Sequence, residues 1–241
     1  MTKIHRHPDP DSLAQATAEF MQAAILERVK QVGRAHVVLA GGSTPRSTYQ
    51  YLGRLLAQSE LAAGSLEFYW GDERCVPLDD PASNFRLASE SLLAPLPAGT
   101  FEAHPIECGG NAPAAAETYE GLLRLAFPSA ARPRFDLVLL GLGDDGHTAS
   151  LFPGSPWLAE AERWVAAEHV DELRAWRVSL TPPAINAART VVFLVQGEAK
   201  ADAVRQVMRA AHDPVRRPAQ IVEPLDGELH WFLDEAAASR L

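Results

Sequence analysis

Residues 135–153, FDLVLLGLGDDGHTASLFP, restrict the fold more than any other part of the chain. They begin with a nearly continuous apolar run at 135–140, which has the length and composition of a strand buried on both faces of a parallel sheet. A glycine-rich turn with two acids and His147 follows, and residues 148–151 are predicted to make one helical turn that Pro153 ends. Because ligands of open α/β sheets bind at the carboxyl ends of strands, this turn is the first candidate for a functional site.

The same turn matches a dinucleotide-binding pattern. The letters GLGDDG at 141–146 fit G-x-G-x-x-G, follow a strand and precede an acid, Glu168, by about 20 residues. A helix long enough to carry a pyrophosphate on its dipole does not fit before Pro153. Asp144 and Asp145 would also place carboxylates beside the pyrophosphate. We therefore do not expect a nicotinamide or flavin cofactor here.

Predicted strands and helices alternate along the whole chain, with short connections and no internal repeat. This pattern predicts a mostly parallel, Rossmann-like α/β sheet with helices on both faces, built as a single domain over residues 1–241. The predicted strands are 36–40, 66–70, 135–140, 164–167, 177–180, 190–196 and 229–233, and the predicted helices are 10–32, 45–56, 84–93, 111–127, 182–188 and 201–211.

The composition narrows the choice of partners and compartment. The 241 residues carry a formal net charge of −9, which argues against nucleic acid and anionic membranes as partners. No run approaches about 18 apolar residues and no signal-peptide core is visible, so the sequence predicts a cytoplasmic protein, either a monomer or a small homo-oligomer. Cys75 and Cys108 lack the spacing of a zinc site or a disulfide framework and are predicted to be unreactive thiols.

Polar and charged residues follow several of the predicted strands. They lie at 41–44, 72–74, 143–147 and 197–200, and Arg177, beside a further strand, is a fifth candidate. Because the carboxyl ends of parallel strands share one edge of a sheet, we expect these turns to meet. Together they would supply cations for a phosphate, carboxylates for sugar hydroxyls and an imidazole, the side chain that titrates nearest neutral pH.

Two of these turns have alternative interpretations. The letters GGST at 41–44 follow a strand and precede a helix, so exposed amides, hydroxyls and a helix dipole give a phosphate cradle in outline. The same letters are typical of a plain turn in which Ser43 or Thr44 caps the helix. Asp72 could bind sugar hydroxyls, cap a helix or pair with Arg74.

Several motifs resemble those of 6-phosphogluconolactonases, in order over nearly the whole chain. They are GGSTP at 41–45, GDER-VP at 71–77, GLGDDGHTASLFPGS at 141–155, RVSLTPPAINAA at 177–188, VQGEAKA at 195–201 and PAQIV at 218–222. The resemblance implies the sheet architecture shared with glucosamine-6-phosphate deaminases and ribose-5-phosphate isomerases. It also implies hydrolysis of a small phosphorylated sugar lactone, 6-phosphoglucono-δ-lactone, without a cofactor or an obligatory metal.

The resemblance further implies roles for individual residues. His147 matches the general base that activates water, and Arg74 and Lys200 match positions that bind the substrate and its phosphate. Either Asp145 or Asp72 orients the imidazole or binds sugar hydroxyls, and the sequence leaves that choice open. The implied substrate-binding set is Gly42, Ser43, Thr44, Asp72, Arg74, Arg177 and Lys200, and Gly143 and Gly146 belong to a turn whose amides are expected to hold the oxyanion.

Two rival functions share much of this pattern. The deaminase-isomerases of the same fold carry an acid before the proline, in a pattern like GHIAFNEP, where this chain has Phe152. Lactone hydrolysis needs only one base-activated water, so an apolar residue there favours hydrolysis. A non-catalytic sugar-phosphate sensor would keep Arg74 and Lys200 but would not need His147.

Overall fold

Strands and helices alternate along the part of the chain that the computed structural model describes, residues 2–128 and 130–241, with all side chains of these residues except that of Glu172. The strands are β1 (Thr2–His7), β2 (Ala35–Leu39), β3 (Leu66–Trp70), β4 (Asp72–Arg74), β5 (Phe101–His104), β6 (Leu137–Leu140), β7 (Val165–Val170), β8 (Ala175–Leu180), β9 (Thr190–Val195) and β10 (Glu228–Asp234). The α-helices are α1 (Pro10–Val32), α2 (Pro45–Ala57), α3 (Asn84–Ala88), α4 (Ala112–Ala126), α5 (Pro182–Asn186) and α6 (Ala201–Arg209).

Local sequence determines where the long helices begin and end. Asp9 caps α1 by accepting a hydrogen bond from the Ser12 amide at 2.8 Å, and Gly33 ends the helix with a φ of 84°. That left-handed conformation is available to glycine without a steric penalty. Asn111 caps α4 in the same manner as Asp9, by accepting from Ala114.

The main sheet has seven parallel strands in the order β1-β10-β9-β6-β2-β3-β5. The chain proceeds outward on one side from β2 to β3 and β5, and on the other from β6 to β9 and β10. The switch in direction therefore lies between β2 and β6, where open α/β sheets bind their ligands. The predicted mostly parallel sheet with helices is confirmed, and the side chains of β3 and β6 are buried throughout.

A second, three-stranded antiparallel sheet, β4-β8-β7, was not predicted from the sequence. Residues 72–74, expected to be a plain turn, form β4 within this sheet, and the segments predicted at 164–167 and 177–180 belong to it as β7 and β8. Edge strands β1 and β5 were also missed, because their residues are polar or lie in a segment rich in Pro and Gly.

The expectation of two free thiols is wrong. Cys75, just after β4, and Cys108, just before α4, form a disulfide although they are 33 positions apart in sequence. The fold brings the end of β4 against the loop that follows β5, a contact that residue spacing alone does not reveal. None of the helices within residues 2–128 and 130–241 combines the length and apolar character needed to cross a membrane.

Candidate functional site

Turns at the carboxyl ends of four neighbouring strands surround one cavity. The strands β9, β6, β2 and β3 are consecutive in the main sheet, so the turns that follow them lie side by side. The cavity has a volume of about 790 Å³ and is also lined by Arg177 of β8 in the second sheet. The expected convergence of the turns is therefore confirmed. The predicted site residues that line the cavity are Gly42, Ser43, Thr44, Asp72, Arg74, Gly143, Asp145, His147, Arg177 and Lys200.

His147 and Asp145 form a hydrogen-bonded pair on the turn after β6. The His147 Nδ1 atom lies 2.6 Å from Asp145 Oδ1, and the same oxygen accepts the His147 backbone amide at 3.0 Å. Burial raises the pKa of the Asp145 carboxyl, but its hydrogen bonds from the His147 side chain and backbone, together with the imidazole's charge, outweigh this, and the pKa lies below its ordinary value. Asp145, rather than Asp72, is therefore the carboxylate that orients the imidazole.

The amides of Gly143 and Gly146 are not available for the expected oxyanion role. The Gly143 amide donates to the His147 carbonyl at 2.8 Å, and the Gly146 amide donates to the Gly143 carbonyl at 3.1 Å. Both donors are used within the turn, contrary to the prediction that they hold a developing oxyanion. Gly146 also faces a second, smaller cavity of about 130 Å³ behind the turn rather than the main one.

The segment after His147 is a tight turn and not the predicted helical turn. Ala149 has a φ of 49°, in the left-handed region that a non-glycine residue seldom occupies. The Thr148 hydroxyl secures the turn by donating to the Gly141 carbonyl at 2.8 Å. Phe152 packs against the imidazole, with ring centroids 4.4 Å apart. The imidazole is thus held by a carboxylate at Nδ1 and by an apolar ring beside it.

Asp72 is a buried anchor between the turns. Its carboxylate accepts the Ser150 hydroxyl at 2.6 Å, and the Asn84 side-chain amide donates to its carbonyl at 2.8 Å and its carboxylate at 3.3 Å. Asn84 fills the space beside Gly41, where a Cβ would lie 1.9 Å from Asn84 Oδ1. Sequence reasoning missed Asn84, because nothing in its local pattern distinguishes it from an ordinary helix residue.

Arg74 and Arg177 lie side by side on the wall of the cavity. They are directly paired across β4 and β8, and in the described part of the chain neither guanidinium has an acidic oxygen within 4.0 Å. Burial, followed by the charge of Arg74, lowers the pKa of Arg177, yet a guanidinium stays charged in proteins. Two adjacent cations on the wall of a cavity provide a site for an oxyanion with several charges.

A buried carboxylate fixes the strand that carries Arg74. Glu73 accepts the backbone amides of Arg74, Asn84 and Phe85, each at 2.8 Å. Burial raises the pKa of Glu73, and these hydrogen bonds partly oppose that rise. Glu73 therefore joins β4 to the beginning of α3 and restricts the position of the arginine backbone.

Lys200 enters the cavity from the turn after β9. The Gly197 amide donates to both oxygens of the Asp234 carboxylate, at 2.9 and 3.0 Å, and Lys200 donates its amide to the Gly197 carbonyl at 3.0 Å. The Lys200 ammonium lies 2.5 Å from Asp144 Oδ1 on the turn after β6. Unlike the arginine pair, this cation already has a carboxylate partner, and Asp144 was not among the predicted site residues.

The turn after β2 leaves its polar groups available. Gly42 has a φ of 88°, and among the described residues no partner is found for the amides of residues 42–44. Thr44 precedes α2 but its hydroxyl makes no capping bond. Thr44 therefore occupies the N-cap position, as one of the two alternatives expected, but without a side-chain capping bond, and residues 42–45 line the cavity at the positive end of α2.

One group of side chains outside the cavity has the spacing to hold a metal ion. Glu67, Glu102 and His104 on β3 and β5 place their ligand atoms within 4.8 Å of one another. In the present arrangement His104 Nε2 lies 2.6 Å from Glu67 Oε2, so the group is already internally paired. None of its members lines the main cavity.

Comparison with known proteins gives a consistent set of relatives. Residues 8–231 match the family described as glucosamine-6-phosphate isomerases/6-phosphogluconolactonase. A 6-phosphogluconolactonase from Synechocystis sp. is 39% identical over 90% of this chain and 89% of its own length. The structure of 6-phosphogluconolactonase from Trypanosoma cruzi superposes with a TM-score of 0.87 at 30% identity, covering 100% of this chain and 97% of that one. A monomeric glucosamine-6-phosphate deaminase shares the fold, with a TM-score of 0.79 at 22% identity over 99% of this chain and all of its own.

Proposed function

Because the chain belongs to the glucosamine-6-phosphate isomerase/6-phosphogluconolactonase family, we propose that it hydrolyses 6-phosphoglucono-δ-lactone to 6-phosphogluconate and that His147 activates the attacking water. The reaction is the lactone-opening step of the oxidative branch of the pentose phosphate pathway. Its substrate is a small phosphorylated sugar lactone.

One observation carries this proposal. The cavity that holds the His147–Asp145 pair also holds two adjacent arginines, Arg74 and Arg177, for which no carboxylate partner is found among the described side chains. A general base and a separate anion site on one cavity suit a substrate that has an electrophilic carbonyl and a phosphate. The volume, about 790 Å³, lies within the range of about 300–1,000 Å³ typical of small-molecule pockets.

The phosphate docks against the cations and the free turn. Arg74, Arg177 and Lys200 neutralise its charge, and the amides and hydroxyls of residues 42–44 donate to its oxygens. This placement brings the lactone carbonyl carbon, C1, to His147. Asp72 holds the beginning of β4 to the turn after β6 by accepting the Ser150 hydroxyl, and it does not transfer a proton.

The imidazole moves one proton in and out. With Nδ1 donating to Asp145, the neutral ring has its lone pair on Nε2, which accepts a proton from water as the water oxygen bonds to C1. The tetrahedral intermediate then collapses: the bond from C1 to the ring oxygen breaks, and Nε2–H returns the proton to that oxygen. The new carboxyl group ionises in solvent. General base assistance of this kind typically contributes about 10²–10⁴-fold.

A coupled assay tests the proposal. Purified protein should accelerate loss of 6-phosphoglucono-δ-lactone above its spontaneous rate, and His147→Asn should abolish most of kcat while substrate binding and the melting temperature are retained. Full activity of His147→Asn would remove the base assignment. The same preparation is given glucosamine 6-phosphate, and release of ammonia with no lactone turnover would replace hydrolysis by the deaminase alternative.

A further inference from the structure

Asp144 forms an ion pair with Lys200, the lysine that binds the substrate phosphate in the proposed function. The two charged atoms are 2.5 Å apart, and the side chains differ in exposure, 76% for Asp144 and 26% for Lys200. The acid lies on the turn after β6 and the lysine on the turn after β9, so the contact joins two turns that both border the main cavity. Arg74 and Arg177 have no such partner in the part of the chain that the structure describes.

Asp144 also has a second environment available. It borders both the main cavity and the smaller cavity behind the catalytic turn, and Arg217 lines only the latter. The Nε atom of Arg217 is buried and makes no hydrogen bond among the described residues. A carboxylate released from Lys200 therefore still borders a cavity that a second cation, Arg217, also lines.

We propose that Asp144 limits the affinity of the phosphate subsite by competing with the ligand for Lys200. This inference rests on the proposed function, in which Lys200 contacts the substrate phosphate. Each phosphorylated ligand must displace the carboxylate before the ammonium is available to it. Substrate and product both carry the phosphate, and an interaction equal in both strengthens binding without speeding the chemical step. The product carries the new carboxylate in addition to the phosphate. A weaker interaction between Lys200 and the phosphate therefore makes product release easier.

The size of the effect follows from the exposure of the pair. An ion pair with one largely exposed partner is screened by water and contributes little, so its removal should change affinity about two- to fivefold. Asp144→Asn keeps the side-chain volume and removes the charge. Glu198→Gln is the matched control, because Glu198 is exposed, lies two positions from Lys200 and forms no ion pair in the part of the chain that the structure describes.

The experiment measures binding and turnover in parallel. Inorganic phosphate is titrated into the wild type, Asp144→Asn, Glu198→Gln, Lys200→Ala and the Asp144→Asn/Lys200→Ala double variant by calorimetry, and KM and product inhibition are measured with the phosphorylated lactone. Asp144→Asn should lower the Kd for phosphate, the KM and the product Ki together by about two- to fivefold. Glu198→Gln should change them little, and Asp144→Asn should have no effect in the Lys200→Ala background.

Three results would overturn the inference. Asp144→Asn could leave phosphate binding unchanged or weaken it, which would make the acid a support for Lys200 instead of a competitor. If Glu198→Gln gave the same gain, the effect would come from the overall negative charge near the site and not from Asp144 in particular. If Asp144→Asn gave the same gain in the Lys200→Ala background, Lys200 would not be the group for which Asp144 competes. If phosphate binding responds as expected but no variant turns over lactone, the proposed function fails while the competition at Lys200 stands.

Discussion

Replacing Gly143 by Ala should displace the catalytic pair while leaving the backbone of the turn intact. A Cβ built at Gly143 lies 2.0 Å from His147 Nδ1, 2.3 Å from His147 Cε1 and 2.5 Å from Asp145 Oδ1. The φ angle of Gly143 is not in the left-handed region, so alanine suits its backbone. The added methyl group therefore acts on side chains alone, and those side chains are the proposed base and its orienting carboxylate.

The displacement can be worked out from these distances. Ordinary van der Waals contact begins at 3.4 Å, so Nδ1 must retreat from 2.0 Å by at least about 1.4 Å and Asp145 Oδ1 from 2.5 Å by about 0.9 Å. The imidazole is only 29% exposed and has Phe152 beside it, so a displacement of the ring also changes the direction in which Nε2 points. A misplacement of about 1 Å typically costs about 10²-fold in rate.

We expect Gly143→Ala to lower kcat for the phosphorylated lactone about 100-fold, with a much smaller change in KM because the phosphate contacts are untouched. Gly141→Ala, in the same turn, is the control: its Cβ meets nothing within 4 Å, and contact of that methyl group with substrate would appear in KM. Thermal unfolding by circular dichroism monitors the fold. If Gly143→Ala is as active as Gly141→Ala, the tight fit around the imidazole does not matter for catalysis.

Three further predictions concern the frame of the site. Gly41→Ala should lower thermal stability and kcat/KM together, because its Cβ would lie 1.9 Å from Asn84 Oδ1, and unchanged melting and turnover would refute the close fit. Reduction of the Cys75–Cys108 disulfide should destabilise the fold by up to about 4 kcal/mol, estimated from the loop of 33 positions and checked by urea unfolding with and without a dithiol; equal midpoints would contradict it. The lowered pKa of Asp145 stabilises the fold above its unfolded pKa and loses that contribution as pH falls through the folded value, so the stability advantage of the wild type over Asp145→Asn should shrink below about pH 4.

The sequence was sufficient to predict the five inner strands of the main sheet and the meeting of their turns. Buried strands such as 135–140 and 190–196 are marked by continuous apolar runs, and parallel connection places their carboxyl ends on one edge. The second sheet escaped prediction because β4 is only three residues long and charged. Its pairing with β8 nevertheless explains why Arg74 and Arg177, about 100 positions apart, lie together. The expectation that residues 1–241 form one domain stays a prediction.

Other features of the site depend on tertiary contacts that residue patterns do not reveal. The choice between Asp145 and Asp72 as the orienting carboxylate was settled by which oxygen approaches the His147 ring, at 2.6 Å. The sequence pattern gives no partner for the amides of Gly143 and Gly146, yet in the folded turn both donate to carbonyls of the turn itself. Gly143 provides room for the imidazole, and Gly146 has a φ of 83° in the left-handed region, so glycine was identified correctly at both positions but for a different reason.

The contact of Phe152 with the imidazole bears on the choice between hydrolysis and the deaminase chemistry of the same fold. The two ring centroids are 4.4 Å apart, so the side chain at position 152 lies against the His147 ring. An acid at this position, as in the deaminase pattern, would place a second proton-transferring group at the imidazole. Phe152 can neither donate nor accept a proton, and it excludes water from one side of the ring. Among the described residues the imidazole has one carboxylate partner, at Nδ1, and no partner at Nε2. That is what a single base-activated water requires and less than ring opening with isomerisation requires.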